Sequence, residues 1–274
     1  MLVFPVIAAG LGLLAVYIFL VERFMIRVRH YRIPVPHLPE AFAGFRIVHL
    51  TDLHYGPLQP LITLRYAVWR ANRLPRDITV CTGDYVLEVN SHSRMDRIWP
   101  LLARLHAPQG VYSVLGNHDH WADTERSLEW LERSGQNLRG RTAAFERRGQ
   151  KLWLAGGGDL WADSLSLDAL LGGVPDSDCR IVLAHNPDSA DTDLSVRIDL
   201  MIAGHTHGGQ FVLPFFGPPS NPVANKTYTS GLKQSKNGFP VFISRGIGWG
   251  TFPVRLLCPP EIAVLELHPA PSGA

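Results

Sequence analysis

Five times in this chain a short β-forming apolar run stops at residues able to hold a cation. The run at 45–50 ends at Thr51-Asp52-Leu53-His54, and that at 78–82 ends at Gly83-Asp84. The run at 110–115 ends at Gly116-Asn117-His118-Asp119, that at 180–184 at His185, and that at 200–203 at Gly204-His205-Thr206-His207. Helical periodicity fills the gaps at 60–74, 94–105 and 124–134, so strands and helices alternate as in an α/β fold. In such folds sites form where the carboxyl ends of strands meet. Asp52/His54 and His205/His207 are i, i+2 pairs, which project to one side of an extended backbone.

The second half reads as a hairpin over 142–148 and 151–155 around Gly149, then a short helix at 165–171. Two further strands follow, at 241–244, ending at Arg245-Gly246, and at 262–267. Residues 33–44 hold Pro34, Pro36 and Pro39 and read as an extended linker or edge strand.

Residues 2–21 carry no charge, and twenty residues of helix cover a hydrocarbon core of about 30 Å. Arg23, Arg27, Arg29 and Arg32 follow the apolar run and no Lys or Arg precedes it, which orients the following domain to the cytoplasm. The segment lacks the basic start and small-residue cleavage site of a signal peptide, so an inner-membrane, single-pass anchor is expected. The chain of 274 residues has a net charge of +2, of which residues 22–46 contribute +3, leaving the remainder near −1. No nucleic-acid partner is expected from so neutral a domain. Cys81, Cys179 and Cys258 are widely spaced and form no CxxC pair, and Cys81 reads as core filler. The oligomeric state is not legible.

Each of the five blocks is common in isolation, and a strand-end turn would account for Asp52 or Asp84 alone. Together they form a set of Asp, Asn and His without cysteine. Such mixed oxygen and imidazole ligands suit Mn, with Fe or Zn possible, better than Mg or Ca. Two cations about 3.5–4 Å apart can bridge a hydroxide and clamp a phosphoryl group for in-line attack.

The blocks DLH, GD, GNHD, H and GHTH resemble the calcineurin-like metallophosphoesterase superfamily over about residues 45–267. The apolar N-terminus, LPEAF, GFRIVHLTDLHYG, GHTHGGQ, LPFFGP, SRGIG and CPPEIAVLEL further resemble its membrane-associated bacterial subgroup. That subgroup includes enzymes of the UDP-2,3-diacylglucosamine pyrophosphohydrolase type. The resemblance implies a four-layer α/β/β/α sandwich of two mixed sheets, preceded here by one transmembrane helix. It implies Asp52, His54 and His207 on a first metal, Asn117, His185 and His205 on a second, and Asp84 bridging both. It makes His118 the acid that protonates the leaving oxygen, or a group that stabilises charge at the phosphorus.

The implied organisation is an anchor at 1–22, a basic flank and proline-containing linker at 23–44, the metallophosphoesterase domain at 45–268 and a tail at 269–274. Protein phosphatases of this superfamily read GDYVDRG at the second block, and the later Asp is Leu87 here. A phosphoprotein substrate is therefore not expected, and Asp119 becomes the residue to orient His118. Arg245, Gly208 and Phe215 are candidate substrate contacts. Phe211, Leu213, Phe215 and Phe216 form an apolar loop suited either to packing or to an acyl chain.

The reading that follows is a membrane-anchored phosphodiester or pyrophosphate hydrolase acting on a lipid-linked substrate such as UDP-2,3-diacylglucosamine. The alternatives are a phosphodiesterase or nucleotidase of a soluble substrate, and a non-catalytic metal-binding scaffold. A scaffold would have lost ligands or His118, and all eight positions are intact.

Overall fold

Side-chain alternation along each strand decides which layer it serves. The computed structural model describes residues 3–250 and 252–271. Among these, the order is α1 (Val3–Val16), β1 (Arg27–Val35), β2 (Arg46–Leu50), α2 (Leu61–Ala71), β3 (Ile78–Cys81), α3 (His92–Leu102), β4 (Val111–Ser113) and α4 (Asn117–Ser134). The second half runs β5 (Thr142–Arg147), β6 (Gln150–Gly156), α5 (Leu167–Leu171), β7 (Cys179–Leu183), β8 (Leu200–Ala203), β9 (Gly231–Gln234), β10 (Pro240–Ile243) and β11 (Glu261–Pro269).

Two mixed sheets result, in the orders β1-β11-β2-β3-β4 and β5-β6-β7-β8-β10-β9. Ile47, Ile78, Val80 and Leu265 of the first sheet face Leu154, Ile181, Ile202 and Phe242 of the second. The opposite faces carry Val48, Leu50 and Val264 against Leu64 of α2, Met95 and Ile98 of α3 and Leu131 of α4. On the far side Val182, Met201 and Val241 meet Leu167 and Leu171 of α5. Helix, sheet, sheet and helix therefore stack as four layers, the expected fold class. His49 is a buried core histidine that points into the inter-sheet layer, with Nε2 2.8 Å from the Thr82 hydroxyl and Nδ1 without a partner. All three cysteines are buried and unpaired, and burial pushes the Cys81 thiol up to about 12.

The segment expected as flank and linker joins the sheet, and the edge-strand alternative for 33–44 holds at 33–35. Residues 27–35 form β1, parallel to β11 from Arg27↔Glu261 to Val35↔Pro269. Ile33, Val35, Leu38 and Phe42 are buried in the inter-sheet core. Pro34 is tolerated because β1 is an edge strand, where one row of amides needs no partner. The pairing also carries β11 to Pro269, into the expected tail. Residues 1–2 of the expected anchor and 272–274 of the tail lie outside the described residues.

The helix at Phe4–Phe24 is long and apolar enough to cross a membrane, with a mean hydropathy of 2.5. It runs on from α1 through a π turn at Tyr17–Val21 and a 3-10 turn at Glu22–Phe24. Its lower end is locked to the domain. The buried Glu22 carboxylate accepts the N–H groups of Leu257 at 3.0 Å and Cys258 at 2.6 Å. The Arg23 guanidinium lies over the Phe24 and Trp249 rings and donates to the Pro253 carbonyl at 3.2 Å.

Glu22→Ala leaves two amides without their acceptor, at a cost of about 1–3 kcal/mol for each buried unsatisfied group. At this chain length each kcal/mol lowers Tm by about 2–4 °C. A thermal melt of the full chain should show that drop, with Glu22→Gln, which keeps an acceptor oxygen, falling less.

Candidate metal centre

The five strand ends expected to meet do meet. Asp52 and His54 follow β2, Asp84 follows β3, Asn117 and His118 open α4 after β4, His185 follows β7, and His205 and His207 follow β8. Asp52, His54 and His207 form one buried cluster, and Asp84, His185 and His205 a second. One oxygen joins them: Asp84 Oδ2 lies 3.3 Å from His54 Nε2 and 3.2 Å from His185 Nε2. His207 Nε2 stands 3.4 Å from Asp52 Oδ1 and 3.1 Å from His54 Nε2. His205 Nδ1 stands 3.1 Å from His185 Nε2. The Asn117 side-chain oxygen is buried and has no hydrogen-bond partner.

Imidazole nitrogens facing each other at hydrogen-bond distance, beside two carboxylates and an orphaned amide oxygen, are the donor set of divalent cations. The second nitrogens of His185 and His205 agree, whereas Nδ1 of His54 and of His207 is buried without a partner. His185 Nδ1 donates to the Thr82 carbonyl at 2.7 Å, and His205 Nε2 faces the Pro222 carbonyl at 3.3 Å. Each contact fixes the tautomer and turns the remaining lone pair inward. Electrostatics fit as well. Burial favours a neutral Asp84, yet the His185 and His54 imidazoles hold it well below the carboxylate range. Burial opposes charge on His185, yet Asp84 drives it up to about 10.

The local backbone differs from the extended pairing read in the sequence. Asp52, His54, Asp84, His205 and His207 all have positive φ, between 47° and 69°. The members of each i, i+2 pair converge through left-handed residues rather than along a straight strand, a strained geometry that clusters at functional sites. Two glycines make room. A Cβ at Gly204 would lie 2.4 Å from Asp52 Oδ2, and one at Gly116 would lie 2.3 Å from Asp84 Oδ1.

His118 forms a third group of potential ligands with His54 and Asp84, its ring 4.7 Å from that of His54 and perpendicular to it. Its N–H donates to Asp84 Oδ1 at 3.0 Å, and its Nδ1 lies 2.7 Å from the Leu87 carbonyl. The partner that the missing Asp at position 87 would supply is therefore present as backbone. Burial lowers the His118 pKa. Asp119, expected to orient or assist His118, does something else. Its carboxylate accepts the N–H groups of Asp84 at 2.7 Å, Tyr85 at 2.8 Å and Gly116 at 3.0 Å. It staples two motif loops together, and burial followed by the nearby Asp84 pushes it up to about 7.

Of the candidate substrate contacts, Gly208 is buried at φ 64°, where a Cβ would meet Cys258 Sγ at 2.7 Å and Arg245 Cγ at 3.0 Å. The Arg245 side chain packs over it, and its Nε is buried without a partner. Phe215 is fully exposed. A groove of about 340 Å³ opens beside His207, lined by Gln210, Phe211, Pro222, Phe252 and Val254.

Three residues escaped the sequence reading. Arg255 is buried and donates to the carbonyls of His207 at 3.3 Å, Arg245 at 2.8 Å and Cys258 at 3.1 Å, bracing the back of the His207 loop. Asp159 is buried with one oxygen unpartnered, in electrostatic reach of His185. Trp161 sets its ring 4.5 Å from that of His205. Only the Gly156-Gly157-Gly158-Asp159 run after β6 could have drawn attention to the last two, as one more strand end with a carboxylate.

Residues 45–209 match the model of the calcineurin-like phosphoesterase family. YkuE of Bacillus subtilis (strain 168), described as an uncharacterized metallophosphoesterase, is 33% identical over 256 residues, covering 90% of this chain and 87% of that one. The phosphodiesterase YaeI of Escherichia coli (strain K12) is 35% identical over 233 residues, covering 82% and 83%. A transmembrane protein with metallophosphoesterase domain from Danio rerio is 32% identical over 259 residues, covering 89% of this chain and 58% of its own length. With the donor clusters, these similarities make the chain a hydrolase that belongs to the calcineurin-like metallophosphoesterase family.

Proposed function

We propose that this protein is a membrane-anchored hydrolase of phosphodiester or pyrophosphate bonds that works with two divalent metal ions, Mn first among them. The observation that carries the reading is the position of the Asp84 carboxylate, between His54 and His185 at 3.3 and 3.2 Å. Asp52, His54 and His207 would hold one ion, Asn117, His185 and His205 the other, and Asp84 both. The chemistry such ions supply is positive charge against the phosphoryl oxygens and a lowered pKa for the attacking water.

The chain's own groups do the rest. Protonated His118 gives its Nε2 proton to the leaving oxygen as the bond from phosphorus to that oxygen breaks, while its Nδ1 stays on the Leu87 carbonyl. Asp119 holds Asp84 and Gly116 in register without touching the reacting atoms.

A lipid-linked substrate, of which UDP-2,3-diacylglucosamine is the example that the resemblance supplies, is supported by what surrounds the centre. The apolar helix ends against residues 253–258, where Arg23 and Glu22 bind. Next to them lies the groove lined by His207, Phe211, Phe252 and Val254. Phe215, Phe216 and Phe252 are exposed, suited to contact with acyl chains or the bilayer interface. The E. coli relative's name points to a diester, and the Danio rerio relative's name to a membrane. The arginines that follow the apolar run support a catalytic domain on the cytoplasmic side of the inner membrane.

Three measurements test this. Asp84→Ala should lower bound metal at both positions and abolish turnover, since one carboxylate serves two ions; two retained equivalents by elemental analysis would remove the bridge. His118→Ala should keep its metal and lose about 10²–10⁴-fold in kcat on poor leaving groups, with the loss shrinking for nitrophenyl esters, which need no proton. An equal loss for both leaving groups would take His118 out of the acid role. A reporter that fluoresces only in the cytoplasm, fused at the C-terminus, should light up; activity of a periplasm-only phosphatase reporter would reverse the orientation.

A further inference from the structure

On the side of the centre occupied by His118 and His205, two indoles stand in the open. Trp121 follows His118 by three residues on the first turn of α4, and its ring lies 5.0 Å from the His118 ring. Trp161 sits on the loop after β6 with its ring edge-to-face on His205 at 4.5 Å. The two indole planes differ by 18°, with centroids 6.3 Å apart. Trp121 is 46% exposed and Trp161 50%. Tryptophan is a large apolar payload, and two of them half in water beside a reaction centre leave much surface to be covered.

The loop that carries Trp161 is held in place. Asp159 Oδ1 accepts the N–H groups of Trp161 and Ala162, both at 2.9 Å. Arg139 donates to Asp163 Oδ1 at 2.8 Å, and the other Asp163 oxygen lies 3.7 Å from Nε2 of buried His120. His120 is the residue before Trp121, so α4 and the loop lie side by side behind the two rings, with no hydrogen bond between His120 and Asp163.

Resting on the hydrolase reading above, we propose that Trp121 and Trp161 form a stacking platform for a planar heteroaromatic ring, the base of a nucleoside joined through its sugar to the scissile phosphate. Bases stack on aromatic side chains through their π faces and need no hydrogen-bond code to do so. The arrangement divides the substrate's surroundings: a flat aromatic wall on the His118 and His205 side, and the apolar groove on the His207 side. The same centre would thus prefer a phosphoester carrying a nucleoside over one carrying only small aliphatic alcohols.

The test compares two diesters on the full-length, detergent-solubilised, Mn-loaded protein: a uridine–glycerol phosphodiester and the ring-free glycerophosphoglycerol. Trp161→Leu and Trp121→Leu should each lower the ratio of kcat/KM for the uridine ester over the ring-free ester by about 5- to 100-fold, mainly through KM. Trp161→Phe should restore most of the preference. A ratio that stays within about twofold in both leucine variants, or a loss equal for the two esters, overturns the platform. If the wild-type protein hydrolyses neither ester, the diester half of the reading above fails by itself. The platform is then decided by quenching of tryptophan fluorescence with uridine monophosphate: quenching lost in Trp161→Leu supports it, and quenching absent in the wild type overturns it.

Discussion

The contact on which the centre depends is a single carboxylate oxygen, Asp84 Oδ2, pressed between two imidazoles from different sheets. Placing a buried charge there is costly unless its partners are fixed in advance. The fold fixes them by several independent means. Asp119 gathers the amides of Asp84, Tyr85 and Gly116, and His118 donates its own amide to the other Asp84 oxygen. The first motif loop leans on the second, with Asp52 and His54 donating backbone N–H groups to Gly83 and Asp84 at 3.0 Å each. The left-handed turns at five ligand-type residues are the conformational cost of this convergence, and they persist because the sheets on either side over-determine the loops.

Much of this was legible in the chain. A β-forming run that stops at Asp, Asn or His announces both the strand and its cargo, so the order of strands and the donor residues followed from one pattern. The parts that escaped have physical reasons. β1 is built from RVRHYRIPV, whose arginines and proline read as a flank, and its partner β11 lies more than 220 residues away. β9, with Leu232 and Lys233 between a glycine and a glutamine, is a polar edge strand without an apolar face. At Asp123 two helical segments meet: the one read over 124–134 is capped by the extended Asp123, whose carboxylate accepts the Arg126 amide at 3.0 Å, and the segment that escaped is 117–122 before it.

Roles were harder to read than positions. Asp119 follows His118 directly, yet neighbouring residues at the start of a helix point in different directions, and the two serve different partners. The support for His118 comes from a carbonyl at Leu87, and a backbone acceptor leaves no mark in residue type. Arg255 resembles any basic residue near the C-terminus. Only the fold shows it buried, with its guanidinium spent on carbonyls of the ligand loops.

The lock between Glu22, Arg23 and the segment 249–258 has a consequence of scale. That segment reaches the ligand loop within one more link, since Cys258 Sγ and Arg255 both contact the His207 carbonyl. With the helix in a bilayer as proposed, these contacts would leave no swivel among the described residues between membrane and catalytic centre. The phosphate would have to present itself at one set height above the lipid surface, so the protein would act as a ruler. Substrates would be sorted by the length of spacer between their anchor and their scissile bond, before any side chain had recognised them.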